Sequence, residues 1–232
     1  WSGQIADPTG RCRISLWDDL PFKETDLPVT VQIKGARVRA WQGIPDITVD
    51  NAEQMTVLEA PPWDAGMDLT NHAVEVDLVE VVAGPSRVGL KTSGMLVSVR
   101  EDSGFIMRCT ECRRVLRDGI CSDCGPNAGA EDIRMRLVVD LDGATAAVLV
   151  NKDATLAALD LDVDAMRSKI DEIGEQGFVQ HVREQMLGRH LTVTGRSIVD
   201  EQGAMILADG CSMEVHDPQM RASELRAQWG WG

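Results

Sequence analysis

Apolar and polar residues alternate with period two along most of this chain, in short runs. Between Gly3 and about Leu58, "GRCRISLW" (10–17) and "VTVQIKGARVRAW" (29–41) carry Val and Ile at alternate positions, and "PDITVD" (45–50) and "EQMTVL" (53–58) follow. Such alternation marks half-buried strands. Turn chemistry separates the runs at "DPTG" (7–10), "DDLP" (18–21) and "QGIP" (42–45), and no strong helical period intervenes. The segment therefore reads as a small barrel or sandwich. The first residue is Trp1, and "WSGQIADPTG" reads like the end of a strand entering a turn, so a fragment is expected.

Residues 59–72, "EAPPWDAGMDLTNH", break the alternation with prolines and polar residues and are expected to form a linker. Beyond it, "VEVDLVEVV" (74–82), "RVGLKTSGMLVSVRE" (87–101), "IRMRLVVDLDG" (133–143) and "TAAVLVN" (145–151) read as strands. Residues 153–187 change period: Ile170, Ile173, Phe178, Val182, Met186 and Leu187 recur at helical intervals. Asp153 and Asp162 or Asp164 are candidate N-caps, and "GEQG" (174–177) is expected to divide the helical region. "HLTVTGRSIVD" (190–200) and "GAMILADGCSMEV" (203–215) then return to an alternating hairpin. Strands, a helical segment, then strands is the layout of an OB-fold, a five-stranded Greek-key barrel.

Two C-x-x-C pairs interrupt the second set of strands in "RCTECRRVLRDGICSDCG" (108–125). Within each pair both sulfurs reach one ion from a tight turn, and the short loop between the pairs lets the second fold back to complete a tetrahedron. Gly119 and Gly125 suit the turns. Cys109, Cys112, Cys121 and Cys124 thus predict one structural zinc ion with no open position for catalysis. An iron centre of the same ligands stays open. Two disulfides or a redox pair are the other readings; the cytosolic look of the chain and the closeness of the pairs favour metal. Cys12 and Cys211, alone within strands, read as ordinary buried residues.

Charge changes the picture little at first. The 232 residues carry a net charge of −14, spread diffusely, with Asp exceeding Glu and Arg far exceeding Lys. A basic footprint is the usual sign of phosphate binding, so the total argues against nucleic acid. A high-salt cytoplasm offers another reason for a carboxylate-rich surface. Local sign then matters more than the total. With no signal sequence and no apolar run long enough to span a bilayer, a soluble, cytoplasmic protein is expected.

Trp17 and Trp41 each end a strand in a chain that has no Tyr and only three Phe. Arg11, Arg13, Lys34, Arg37 and Arg39 lie close by, and Arg37 and Arg39 share parity. On an outer face, the indoles would offer surfaces on which unpaired bases stack, flanked by cations for phosphates. Alternatively the tryptophans fill the core and the arginines pair with carboxylates. Residue pattern alone leaves both readings open.

"DPTGRCRISLWDD" with "VTVQIKGARVRAWQGIPDITVDNAEQMTVL" resembles the single-stranded-DNA-binding OB domains of replication protein A, especially the second of its large subunit. In that family the two strand-end aromatics stack on bases, which corresponds here to Trp17 and Trp41. "MRCTECRRVLRDGICSDCG" followed by "RMRLVVDLDGATAAVLVN" resembles the family's zinc-bearing OB domain, whose ribbon is inserted between its first two strands. The likeness runs from Gly3 to about Val215. Where family members often carry an aromatic in the strand taken here by "TAAVLVN", this chain has Leu149, Val150 and Asn151. Phe105, Arg108, Arg134, Arg136 and Lys152 remain as candidate contacts there. The family's trimer-forming C-terminal helix is replaced by "DPQMRASELRAQWGWG" (217–232), at most a short helix with two tryptophans.

The expected architecture is mainly β. It comprises an OB-fold over 1–58 truncated at its start, a linker at 59–72, a second OB-fold over 73–216 with a zinc ribbon at 105–126, and a tail at 217–232. No P-loop, H-E-x-x-H, dinucleotide fingerprint or serine elbow occurs, so no enzyme is expected. The implied function is binding and protecting single-stranded DNA in replication, repair and recombination, in a haloarchaeal setting, with other replication protein A subunits as possible partners. The alternative is an RNA-binding subunit joining a barrel to a zinc ribbon; an enzyme with a reactive thiolate is a distant third.

Overall fold

The computed structural model describes residues 1–41, 44–64, 69, 72–213, 222–223, 226–227 and 229–230, with the side chain of Trp41 left outside that description. In the N-terminal part the strands are β1 (Ser2–Asp7), β2 (Gly10–Leu16), β3 (Val31–Ile33), β4 (Arg37–Trp41), β5 (Ile44–Val49) and β6 (Met55–Val57). Asp7 builds the β1–β2 turn: its Oδ1 accepts from the Thr9 amide at 2.8 Å, the Thr9 hydroxyl at 2.6 Å and the Gly10 amide at 3.2 Å. The sheet order is β1-β2-β5-β4, with β2 and β5 parallel and the other neighbours antiparallel; β3 and β6 form a separate ribbon. Ile14, Leu16, Val49 and Met55 form its core, with Ile5, Phe22, Val31, Ile33 and Ile47 packed around them.

The single strand expected over 29–41 is two strands. Gly35 adopts a φ of +72°, a conformation that costs glycine nothing and ends β3, and Gln54 Nε2 donates to its carbonyl at 2.7 Å.

The C-terminal part contains β7 (Val74–Glu75), α1 (Leu78–Ala83), β8 (Val88–Val99), β9 (Gly104–Arg108), β10 (Ile120–Cys121), β11 (Gly125–Pro126), β12 (Ala130–Leu141), β13 (Ala144–Val150), α2 (Lys152–Leu159), α3 (Val163–Met186), β14 (His190–Asp200) and β15 (Gly203–Met213). β8 pairs with both β12 and β14, which closes a five-stranded barrel in the order β8-β12-β13-β15-β14. β13 and β15 run parallel, α2 and α3 lie between β13 and β14, and the cysteine turns lie between β8 and β12. This is the OB layout. Its core includes Leu78, Leu90, Leu96, Met135, Leu137, Phe178, Val182, Leu191 and Ile206.

The N-terminal sheet repeats four strands of that barrel. Taken in chain order, β1, β2, β4 and β5 have the same pairing pattern, antiparallel, parallel, antiparallel, as β12, β13, β14 and β15. Among the described residues nothing takes the place of β8 between β1 and β4, so one barrel is closed and the other sheet is open.

Two local expectations change. "VEVDLVEVV" is not one strand: after β7 the Asp77 side chain accepts from the Val79 amide and starts α1, which buries Leu78 and Val81. The same residues satisfy both the strand period and the i, i+3 spacing, and the cap selects the helix. Asn151, not Asp153, caps α2, its Oδ1 accepting from the Ala154 amide at 2.9 Å. Asp162 caps α3 as expected, with Asp164 in its first turn. Asp160 in the left-handed region ends α2, and Gly174 at φ +74° breaks α3. Much of 59–72 and most of 217–232 lie outside the described residues; Trp229 is exposed. Among the described residues, no helix is long and apolar enough to cross a membrane.

Candidate nucleic-acid face and metal centre

Alternation along β2 buries Ile14 and Leu16 and turns Arg11, Arg13 and Ser15 to the other face. The Trp17 amide donates to the Val49 carbonyl at 3.1 Å, carrying the ladder one residue further, so Trp17 falls on that second face. The residue is 78% exposed. Strand register aligns the neighbours: Arg13 and Arg39 both stand opposite Asp46, and Ser15 and Arg37 opposite Thr48. Arg37 is ion-paired with Asp50, and Arg13 Nε lies 3.8 Å from Asp46. Among the described residues no ion pair involves Arg39. Lys34 is exposed in the β3–β4 turn. The sequence-predicted Trp41 ends β4, but its side chain lies outside the described residues.

The four cysteines converge. Their sulfurs lie within 4.8 Å of one another, and Cys112 Sγ and Cys121 Sγ are 3.4 Å apart, well beyond a disulfide bond of about 2.05 Å. Four thiolates at bonds of about 2.3 Å around a tetrahedral ion fit that spacing. In each pair the first cysteine is buried and the second exposed, so the turns close over one side of the cluster. Amides of Cys124 and Asp123 stabilise the Cys121 thiolate, which holds its pKa down to about 7, while the hydrogen bond with Cys112 and burial push Cys124 up. Arg114 pairs with Asp123 from one turn to the other, and Asn127 Oδ1 accepts from the Thr110 amide and hydroxyl and the Gly129 amide. The residues fit a structural metal ion. Cys12 and Cys211, read as buried, are half-buried on β2 and β15, and burial raises the Cys211 thiol to about 12.

On the barrel the candidate contacts are dispersed. Phe105 packs on the barrel core and the Arg167 guanidinium lies 4.6 Å from its ring centroid, so that face of the ring is closed to a base. Arg134 Nη2 and Arg136 Nη1 both donate to Asp102 Oδ2, at 2.6 and 2.7 Å. Burial pushes the Asp102 carboxyl up, but the two guanidiniums outweigh it and hold the pKa below the ordinary range. Arg108 pairs with half-buried Asp132, and Lys152 is exposed in the first turn of α2.

A cleft of about 450 Å³ lies where the N-terminal sheet meets the barrel. Its floor includes Leu149 and Leu207, paired across β13 and β15, and Arg11, Arg108 and Arg196 line it with Asn151 and Asp209. Arg11 Nη2 is 3.8 Å from Asp209 Oδ2. Arg196 was not singled out by the sequence reading. Its signal was the outward parity it shares with Thr194 and Ile198, between the buried Gly195 and Ser197 in "TGRSI".

No protein-family model and no curated protein matches the chain. Among solved structures it is similar to a replication protein A heterotrimer bound to ssDNA, at 12% identity and a TM-score of 0.45, over 96% of this chain and 61% of that one. A murine DNA binding protein bound with ds DNA is similar at 8% identity and a TM-score of 0.35, over 92% and 83% of the two chains. The p204 HINb domain is similar at 10% and 0.31, over 92% and 84%. The chain thus spans 61% of the length of the first of these.

Proposed function

We propose that this chain binds single-stranded DNA and shields it during replication, repair and recombination, without catalytic activity of its own. The observation that carries the reading is Trp17: a large aromatic residue lies 78% exposed on the face that bears Arg11, Arg13, Arg37 and Arg39. Base stacking on an open aromatic contributes about 1–3 kcal/mol per base without regard to sequence. Adjacent guanidiniums supply phosphate contacts, and the ion pairs of the exposed Arg13 and Arg37, each contributing about 0–1 kcal/mol, exchange readily for phosphate. Trp41 is the second stacking residue on this reading, at the end of β4. Two OB units in tandem would extend the track along one strand.

The ion held by Cys109, Cys112, Cys121 and Cys124 is zinc, because a closed set of four thiolates suits it and leaves no position for chemistry. It clips the turns between β8 and β12. The diffuse carboxylate surface fits a haloarchaeal cytoplasm, in which stacking carries a larger share of affinity because counterion release weakens as salt rises. Other subunits of a replication-protein-A-like complex are the protein partners this reading favours.

The test is fluorescence anisotropy of the full chain with labelled oligothymidylate, in competition with the matching oligouridylate. Preferential retention of the DNA is expected. Preference for the RNA would transfer the reading to RNA binding, and no binding to either would end it.

A further inference from the structure

We infer that an unpaired strand passes from the N-terminal sheet to the barrel through the cleft between them, and that in doing so it displaces Asp209 from Arg11. The inference rests on the single-strand reading above and adds a path to it. Three observations carry it. The cleft joins residues of both parts, Arg11 from β2 and Arg108, Leu149, Arg196 and Leu207 from the β9 and barrel side. Its floor is apolar by register: Leu149 of β13 pairs with Leu207 of β15, and Leu207 pairs in turn with Arg196 of β14. A base or sugar rests on such a floor while phosphates meet the cations at its rim. Lastly, Asp209, half-exposed at this rim and accepting from the Thr194 hydroxyl at 3.3 Å, lies 3.8 Å from the largely buried Arg11, so an incoming phosphate competes with it for the same guanidinium.

Arg108 is already bound to Asp132 and to the Arg113 carbonyl, and it contributes charge without having to move. Arg196 is exposed, and among the described residues no hydrogen bond or ion pair of its side chain is present. It is therefore the cation whose transfer to a phosphate breaks no existing contact. Asp209 opposes the strand twice, by repelling phosphate and by holding Arg11.

The experiment compares Arg196→Gln and Asp209→Asn in the full chain, with Lys169→Gln and Glu172→Gln on α3, outside the cleft lining, as charge-matched controls. Binding is measured with oligothymidylates of about 8 and about 24 nucleotides, within and beyond what one barrel covers. On the longer oligonucleotide Arg196→Gln should weaken binding about threefold or more and lower the salt slope by about 0.7, one phosphate contact of a single strand. Asp209→Asn should strengthen it, and the controls should move it by less than about twofold. Equal shifts in cleft and control variants, while the parent chain still binds, overturn the path and leave the single-strand reading standing. A parent chain that binds neither oligonucleotide overturns both.

Discussion

Arg13 and Arg39 stand on opposite sides of Asp46. The parallel register of β2 with β5 sets the first beside that carboxylate, and the antiparallel register of β4 with β5 sets the second there. One acidic residue therefore lies in a row between two cations. Arg13 is more than half exposed and its Nε lies 3.8 Å from the carboxylate, a weak attachment. The face keeps its positive sign locally although the chain as a whole is strongly acidic.

Trp17→Ala should weaken binding of oligothymidylate about fivefold to a hundredfold, the range of one lost stacking interaction. In molar potassium chloride it should cost more than Arg37→Ala, because screening leaves stacking in place while it suppresses phosphate attraction. Anisotropy titrations at low and molar salt check this; a larger loss for the arginine change at molar salt would refute stacking as the main source of affinity.

Metal analysis of the purified chain should find about one zinc per chain, absent in Cys112→Ser. In chelator-stripped protein Cys121 retains a thiolate held at about 7 by the Cys124 and Asp123 amides. A pKa lowered on folding stabilises the folded form fully above the ordinary thiol value of 9.0, and that contribution is lost as pH falls through about 7. Below 9.0 the raised thiols of Cys112 and Cys124 add nothing to this slope, so the stripped chain should melt lower at about pH 6 than at about pH 8. Cys121→Ser should flatten that difference.

Acid titration reads the carboxylates of Asp102 and Asp132. Burial raises both, and the guanidiniums of Arg136 and Arg134 on one and Arg108 on the other outweigh it, so each ends below its ordinary value of 3.8. Their stabilising contribution is complete above that value and disappears as pH drops through the lowered one. Thermal melts should show Tm falling below about pH 4, and Asp102→Asn should reduce that fall.

Gly195→Ala should destabilise the barrel by about 2 kcal/mol or more. Gly195 sits at φ +153° in the bulge of β14, and an added Cβ would lie 2.1 Å from the Leu207 carbonyl oxygen. Gly10→Ala, whose Cβ meets nothing within 4 Å, should stay within about 0.5 kcal/mol. Urea melts of both variants decide it.

By itself the sequence determined what is local. Period-two alternation marks β2, β5, β8, β12, β13, β14 and β15 because a strand's two faces meet different surroundings at successive residues, and the change of period at 153–187 marks α2 and α3. Two C-x-x-C pairs determined the cysteine cluster, since each pair needs only its own turn and the loop between them is short. Tertiary structure decided what depends on distant partners. Whether Val74–Val82 is strand or helix turned on one Asp77 cap, because its pattern satisfies both periods. Closure was decided by β8, which finds β12 on one side and β14 on the other after long intervening segments, whereas the N-terminal sheet stays open among the described residues. Which way Trp17 faces, that Phe105 lies beneath Arg167, and that Arg11 reaches Asp209 across to the barrel are properties of packing between elements remote in sequence. Residue order specifies which side chains share a face; only the folded neighbours specify whether that face meets solvent, core or a second sheet.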